Sequence, residues 1–332
     1  ASKFLPEDVK DYPEGPGGID PYRSYIDQFN GEALAYTNPE LIWGTDQNVS
    51  GYTSNTFPLQ FGSYGTICVP QRMVDMYYMV DGRDINNASI EYPYENRPYD
   101  NNCITTADKI ISPDNYILKS GTFKAYDNRE PRFYANIAFS HSYWFMKSCT
   151  EASKKNITGD YYSGGNSGKS RAAYDGVYFA SGYSCRKWVH PRDARTGSGA
   201  LIVPKVYPII RYAEVLLNYA EALNNLTSTH TIDGKSYSRN VNEIANAFNL
   251  IRFRAGLPGL TEEELASATK VNELIQRERC IELFHEGFRF YDVRRWGIVE
   301  DLEREPLTGC NADVTQWAGF YAPTIIQYPC VR

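Results

Sequence analysis

Long apolar runs are missing from this sequence. Its longest stretches, such as Ala200 to Val203, fall far short of the roughly 20 residues that a membrane-spanning helix needs. An excess of positive charge is missing too: 34 Lys and Arg face 40 Asp and Glu, for a formal charge of −6. That balance disfavours a general phosphate-binding surface, and nucleic acid is not an expected partner. No CxxC occurs. The seven cysteines, Cys68, Cys103, Cys149, Cys185, Cys280, Cys310 and Cys330, are odd in number and widely scattered, which argues against a dense disulfide framework or a thiolate zinc site. Buried reduced thiols are expected, with one oxidised pair such as Cys310 with Cys330 left open. Histidine is scarce as well, at His141, His190, His230 and His285 only. His285-Glu286 imitates half of a zinc HExxH, but Arg289 stands where the second histidine belongs. No metal and no cofactor are expected.

What the chain has in abundance is tyrosine. There are 27 Tyr, and aromatic residues make up 14% of 332 positions. Each such ring offers a flat apolar face with a polar tip, suited to cores and to binding surfaces alike. With 25 Gly and 18 Pro, many loops are expected, and the length allows roughly two domains of about 150 residues.

Organisation changes sharply along the chain. An irregular start leads into a short helical candidate from Tyr22 to Phe29, then a buried strand or extended segment at Leu41-Ile42-Trp43. Residues 44–65 read as a long polar loop carrying aromatics, Gln71 to Tyr78 as a short helix closed by Asp81-Gly82, and the stretch to about 205 as short strands and turns, including Phe133 to Phe139. From Arg211 onward the apolar period becomes helical. Tyr212, Val215, Leu216, Tyr219, Ala220 and Leu223 form one stripe, with Glu214, Asn218, Glu221 and Asn225 opposite. A polar insert precedes a second helix through Val241, Ile244, Ala245, Phe248, Ile251 and Ala255, stopped by Gly256 and Pro258, and the two should pack antiparallel. Thr261-Glu262-Glu263-Glu264 is a capping-box start, and a longer helix is predicted from about Ala268 to Glu286, with Gly287 interrupting before Phe288 to Trp296.

Three of these segments in series, RYAEVLLNYAEALN (Arg211 to Asn224), FNLIRFRAGLPGL (Phe248 to Leu260) and RERCIELFHEGFRFYDVRRWG (Arg277 to Gly297), resemble the SusD/RagB family of outer-membrane nutrient-binding lipoproteins. VPQRMVDMYYMVDGRDI (Val69 to Ile85), DNREPRFYANI (Asp127 to Ile137) and SGYSCRKWVHP (Ser181 to Pro191) look like its central segments. The resemblance implies a mainly α fold: tetratricopeptide-type helix pairs packed against a large irregular region with short strands. On this reading 1–205 is the irregular region with ligand-binding loops, 206–297 the helical scaffold and 298–332 an irregular C-terminal extension. It further implies a cell-surface, outer-membrane protein, lipid-anchored when full length and cut at both ends here, which captures oligosaccharides without catalysis and passes them to a SusC-like TonB-dependent transporter. Peptide cargo within the same family is the alternative.

Enzymatic readings fare less well. GGNSGKS (Gly164 to Ser170) nearly imitates a phosphate loop, but Ser163 occupies the first glycine position and no apolar strand precedes it. Glu278, Glu282 and Glu286 fall one helical turn apart, as paired acids of a glycoside hydrolase would. Interleaved Arg277, Arg279 and Arg289 make a structural ion-pair network the preferred reading, since flanking guanidinium groups hold carboxylates ionised. The aromatic loops are the better binding candidates, because sugars stack a C–H face on a ring while amides discriminate their hydroxyls. Tyr52, Phe57, Phe61 and Tyr64 sit among Asn48, Ser54, Asn55 and Gln60, and Trp144, Tyr161, Tyr162 and Tyr174 form a second patch around the Gly/Ser-rich segment. Trp43, Trp188 and Trp296 read as core.

Overall fold

Local signals set most helix ends. The structure, a computed structural model, describes residues 18–46, 49–174 and 176–328. Among them lie ten α-helices: α1 Pro21–Ile26, α2 Val49–Thr56, α3 Gln71–Met76, α4 Pro131–Asn136, α5 Tyr212–Asn224, α6 Val241–Arg254, α7 Glu262–Ala266, α8 Ala268–Glu282, α9 Phe288–Arg295 and α10 Val299–Arg304. The strands are short and pair only in twos, so the fold is mainly α. Asp20 caps α1 by accepting from the amides of Tyr22 and Arg23, with Pro21 opening the first turn. Asn240 caps α6 in the same way. Thr261 and Glu264 form the reciprocal capping box at α7.

Several elements depart from the pattern reading. Residues 44–65 are not all loop: α2 forms there because Val49, Thr53 and Thr56 turn inward and the Thr53 hydroxyl donates to the Trp188 carbonyl at 2.7 Å. Phe133 belongs to α4, which Pro131 opens, and only Ile137–Phe139 pairs as a strand, with Tyr183–Cys185. Burial on every side removes the polar–apolar contrast that separates the two periods. The last long helix stops at Glu282 rather than Glu286, because His285 and Gly287 take φ of 59° and 86°. Trp43 is not core. It lies on the two-stranded ribbon Leu41–Thr45 with Tyr207–Arg211 and is 60% exposed.

The α5 helix is rotated relative to its expected stripe. Tyr212, Val215 and Tyr219 are exposed, while Ala213, Leu217, Ala220, Glu221 and Asn224 face inward. Polar pairing explains the rotation: Glu221 accepts from Arg295 Nη2 and Trp296 Nε1, each at 2.8 Å, and Asn224 donates to the Ala268 carbonyl at 2.8 Å. Half-buried Trp296 is thereby tied to the helix rather than sunk in the core.

Helices α5, α6 and α8 enclose an aliphatic core that includes Leu217, Ile244, Phe248, Val271 and Ile275. A larger, aromatic core includes Tyr25, Tyr77, Phe133, Phe139 and Trp188, and it also takes Leu257 and Ile281 from the helical tail and Phe320 from the C-terminal stretch. Cys103, Cys149, Cys185 and Cys310 are buried free thiols, whereas Cys68 is exposed, contrary to expectation. Cys330 lies outside the described residues.

Between the cores sits a cluster of charges. Arg132 reaches Glu130 at 2.7 Å, Glu278 at 2.5 Å and Glu282 at 3.0 Å. Arg211 reaches Glu282 at 2.6 Å and Glu286 at 2.7 Å. Arg254 adds a contact to Glu282 and Lys187 one to Glu286, each at 2.5 Å. Burial alone would raise the Glu282 carboxyl, but Arg254, Arg211 and Arg132 hold it well below the usual carboxylate range. Removing that charge takes one carboxylate partner from each of three buried cations. Glu282→Gln is therefore expected to cost about 3–5 kcal/mol in urea unfolding. In the wild type, the Glu282 contribution is present above the ordinary carboxylate pKa and lost as pH falls through its depressed folded value. A variant as stable as the wild type would show the cluster to be dispensable.

Candidate functional site

Strand alternation builds one polar, ring-bearing surface. Ser142–Trp144 pairs antiparallel with Ile157–Gly159, with Tyr143 opposite Thr158. Successive side chains on a strand face opposite ways, so Ser142 and Trp144 are buried and Tyr143 is turned outward. The ring of Tyr143 stands edge-on to Phe145 at 5.0 Å, with Lys119 Nζ over it at 5.4 Å. It borders an open cleft of about 470 Å³ shared by Gln60, Ser120, His141, Asn156, Thr158 and Asn166, among others. The side-chain amides of Gln60 and Asn156 make no hydrogen bond within the described residues, which leaves donors and acceptors available to a ligand. Asn166, by contrast, is held by Thr158 O and Asp160 N at 2.9 and 2.8 Å.

His141 is held rigidly at the same cleft. Its Nδ1 lies 3.0 Å from Asp160 Oδ1 and its Nε2 lies 3.1 Å from the Ser120 carbonyl. Both partners are acceptors, so the ring satisfies both only as the doubly protonated imidazolium. Burial opposes that charge, but the Asp160 hydrogen bond and charge outweigh it and raise the His141 pKa. The backbone there takes φ of 75°, a conformation uncommon for a non-glycine residue.

The rings singled out from sequence are dispersed. Phe57 and Phe61 are fully buried and pack on Trp144 at 5.1 and 5.9 Å, so the two expected patches do meet, but as core. Tyr161 is likewise buried, edge-on to Phe179 at 4.9 Å. These four rings present no face to a ligand, and their assignment as binding residues is corrected. Tyr52 is 38% exposed, stacks on Trp188 at 5.8 Å and lines a mainly apolar cavity of about 720 Å³ beside α3, α8 and α9. Tyr64 is exposed under the Arg195 guanidinium at 5.2 Å. Tyr162 is half-buried, edge-on to Phe320. Asn48 lies outside the described residues. Tyr143 was not singled out in the sequence and His141 was named only as one of four histidines, although the Ser-Tyr-Trp order carries the alternation that separates Tyr143 from Trp144.

The enzymatic candidates have no working geometry. Glu278 and Glu282 are fully buried and bound to guanidinium groups, and Glu286 is buried against Arg211 and Lys187. No open crevice separates them. The Gly164–Ser170 segment folds on itself, with the amides of Gly165 and Ser167 bonded to the carbonyls of Tyr162 and Asp160 and Lys169 paired to Asp313 at 2.5 Å. Burial and Lys187 push His285 down to about 4, and its Nδ1 accepts from Trp188 Nε1 at 2.9 Å. Among the described residues no group of three or more His, Cys, Asp or Glu is placed to hold a metal, and no helix is long and apolar enough to cross a membrane.

The fold and cleft define a mainly helical scaffold that displays a polar, ring-bearing surface groove. The SusD family profile matches residues 39–327, and the chain belongs to the SusD family. A SusD-like protein from Bacteroides fragilis superposes with a TM-score of 0.62 at 25% identity, covering 95% of this chain and 53% of its own. A SusD-like carbohydrate binding protein from the same organism gives 0.58 at 19% identity, covering 93% and 53% respectively. The chain thus spans about half the length of these solved structures. No curated protein matches it.

The cleft makes two predictions. Histidine proton titration should show one ring, removed by His141→Ala and shifted down by Asp160→Asn, with a midpoint above the ordinary value of about 6.5. Because the folded pKa is raised, the stability His141 contributes is full below that ordinary value and disappears as pH rises through the folded one. A midpoint at or below the ordinary value would refute the doubly bonded imidazolium. Separately, Phe57→Ala should cost about 3–5 kcal/mol in denaturant unfolding, and Tyr143→Ala much less. Equal costs would return Phe57 to the surface.

Proposed function

We propose that this chain is the glycan-capturing part of a cell-surface, outer-membrane protein, lipid-anchored when full length, that hands oligosaccharides to a SusC-like TonB-dependent transporter without catalysis. Membership of the SusD family supports the reading in general. The observation that carries it is local: an outward Tyr143 ring flanked by the uncommitted amides of Gln60 and Asn156 in an open cleft. A pyranose places its C–H face on such a ring and its hydroxyls against such amides. An open groove also admits a chain longer than itself, which an enclosed pocket does not. The burial and pairing of the tail glutamates support the absence of hydrolysis, since ionised, enclosed carboxylates make poor general acids.

Affinity electrophoresis and calorimetry across a panel of polysaccharides should show weak binding to one glycan class with no release of reducing sugar. Tyr143→Ala should weaken that binding by at least about tenfold, which is about 1.4 kcal/mol. Binding of peptides with indifference to every glycan would overturn the carbohydrate assignment and install the peptide alternative.

A further inference from the structure

A second, more enclosed pocket of about 210 Å³ lies beside α3, bordered by Gln71, Asp75, Tyr94, Phe123, Arg129 and Tyr321 among others. Its acid is oriented by a relay. Tyr126 donates to the Tyr183 hydroxyl at 2.9 Å, and Tyr183 donates to Gln71 Oε1 at 2.7 Å. With its oxygen taken, Gln71 can present only Nε2 to Asp75 Oδ1, at 2.8 Å. Asp75 Oδ2 is left without a partner, and no cation lies within ion-pair distance of this carboxylate among the described residues. Burial raises its pKa. Across the same pocket Arg129, 2% exposed, gives its terminal nitrogens to the carbonyls of Val74, Tyr77 and Ala125. Its Nε is buried with no partner.

A half-buried acceptor left open beside a buried guanidinium at one cavity suits an occupant that donates a hydrogen bond. The charges select its class. An ammonium would meet the Arg129 guanidinium, and an anion would meet Asp75, so a neutral molecule rich in hydroxyl groups fits best. The aromatic wall adds the second criterion: Phe123 and Tyr321 stack in parallel at 4.1 Å, and Tyr94 lies beside the Arg129 guanidinium at 5.7 Å.

We propose that this pocket binds a single neutral pyranose residue, with one hydroxyl donating to Asp75 Oδ2 and the C–H face against Tyr94. The assignment rests on the glycan reading and adds to it recognition of a lone sugar or chain end, a task the open cleft does not perform.

Saturation-transfer NMR with methyl pyranosides of the gluco, galacto, manno and xylo series reads this pocket, and affinity electrophoresis on polysaccharide reads the cleft. At least one methyl pyranoside should receive saturation from the wild-type protein. The signal should fall by about tenfold in Asp75→Asn and likewise in Tyr94→Ala, whose side chain takes no part in the relay. Circular dichroism establishes that each variant is folded. Silence from every methyl pyranoside overturns the proposal and leaves the pocket to water. So does a signal that survives both substitutions, or one displaced by methylammonium. Polysaccharide retention without monosaccharide signal defeats the pocket alone, whereas a monosaccharide signal without retention defeats the cleft and keeps the pocket.

Discussion

The structure depends on one cluster of buried charge. Helix α8 sends Glu278 and Glu282 inward, the turn after it sends Glu286, and they are met by Arg132 from α4, Arg211 at the head of α5, Arg254 from α6 and Lys187 from the stretch after Tyr183–Cys185. Ion pairs in a low-dielectric interior add little net stability compared with an apolar core, because desolvation opposes the attraction. Their strength lies in what they forbid. Any packing that displaces one segment leaves a charge unpaired, so five segments distant in sequence share one permitted arrangement. Helix ends and loops are then placed from the inside, without long strands to hold them.

That arrangement lets an irregular region stay ordered. With strands of three to five residues, backbone ladders cannot rigidify residues 18–205. The tyrosines take over part of this work. Tyr134 donates to the Tyr126 carbonyl at 2.7 Å and Tyr25 to the Glu282 carbonyl at 3.2 Å, so each ring fills volume while its hydroxyl satisfies a buried carbonyl. Part of the abundance of tyrosine noticed in the composition is explained here, in the interior. Lysine and arginine lie over the rings of this core, as Lys187 does over Tyr25 at 5.1 Å and Phe29 at 3.9 Å, linking the aromatic core to the ionic one.

The helical tail was legible because its signals are local. Capping at Thr261, the stop at Gly256 and the period through Ile244, Phe248 and Ile251 depend on neighbours in sequence. The family motifs were equally readable, and the ionic role of the tail glutamates followed from their interleaved arginines. The rotation of α5 was not legible, because the partners of Glu221 and Asn224 come from α9 and α8 and are invisible in a single helical wheel. Nor were the site residues. Phe57 and Phe61 sit in a polar stretch with glycines, and Trp144 among serines, a histidine and a lysine; such stretches look exposed, yet they bury a large ring whenever their backbone bonds can be closed by turns. Gln60, named only as a polar neighbour, lines the cleft.

Composition around a ring is therefore a poor guide to its exposure in loop-dominated protein, and strand phase is a better one. Trp144 and Tyr143 are adjacent, equally aromatic and equally surrounded by serine and histidine, yet one anchors a core and the other is only half-buried because a strand alternates. The phase is set from within: Trp144 is drawn in by Phe57 and Phe61 and by the Arg186 guanidinium at 4.6 Å, and Tyr143 is presented as a consequence. The proposed binding surface, made in this way, inherits the rigidity of the core behind it. Its ring is held by the strand behind it and by the edge-on Phe145, so a ligand would meet a fixed platform and binding would lose less conformational entropy than a mobile loop would require. The two halves of the protein thus divide along physical lines. Charge inside fixes geometry, and the side chains left over by that geometry, one ring and a few amides, are those free to recognise something else.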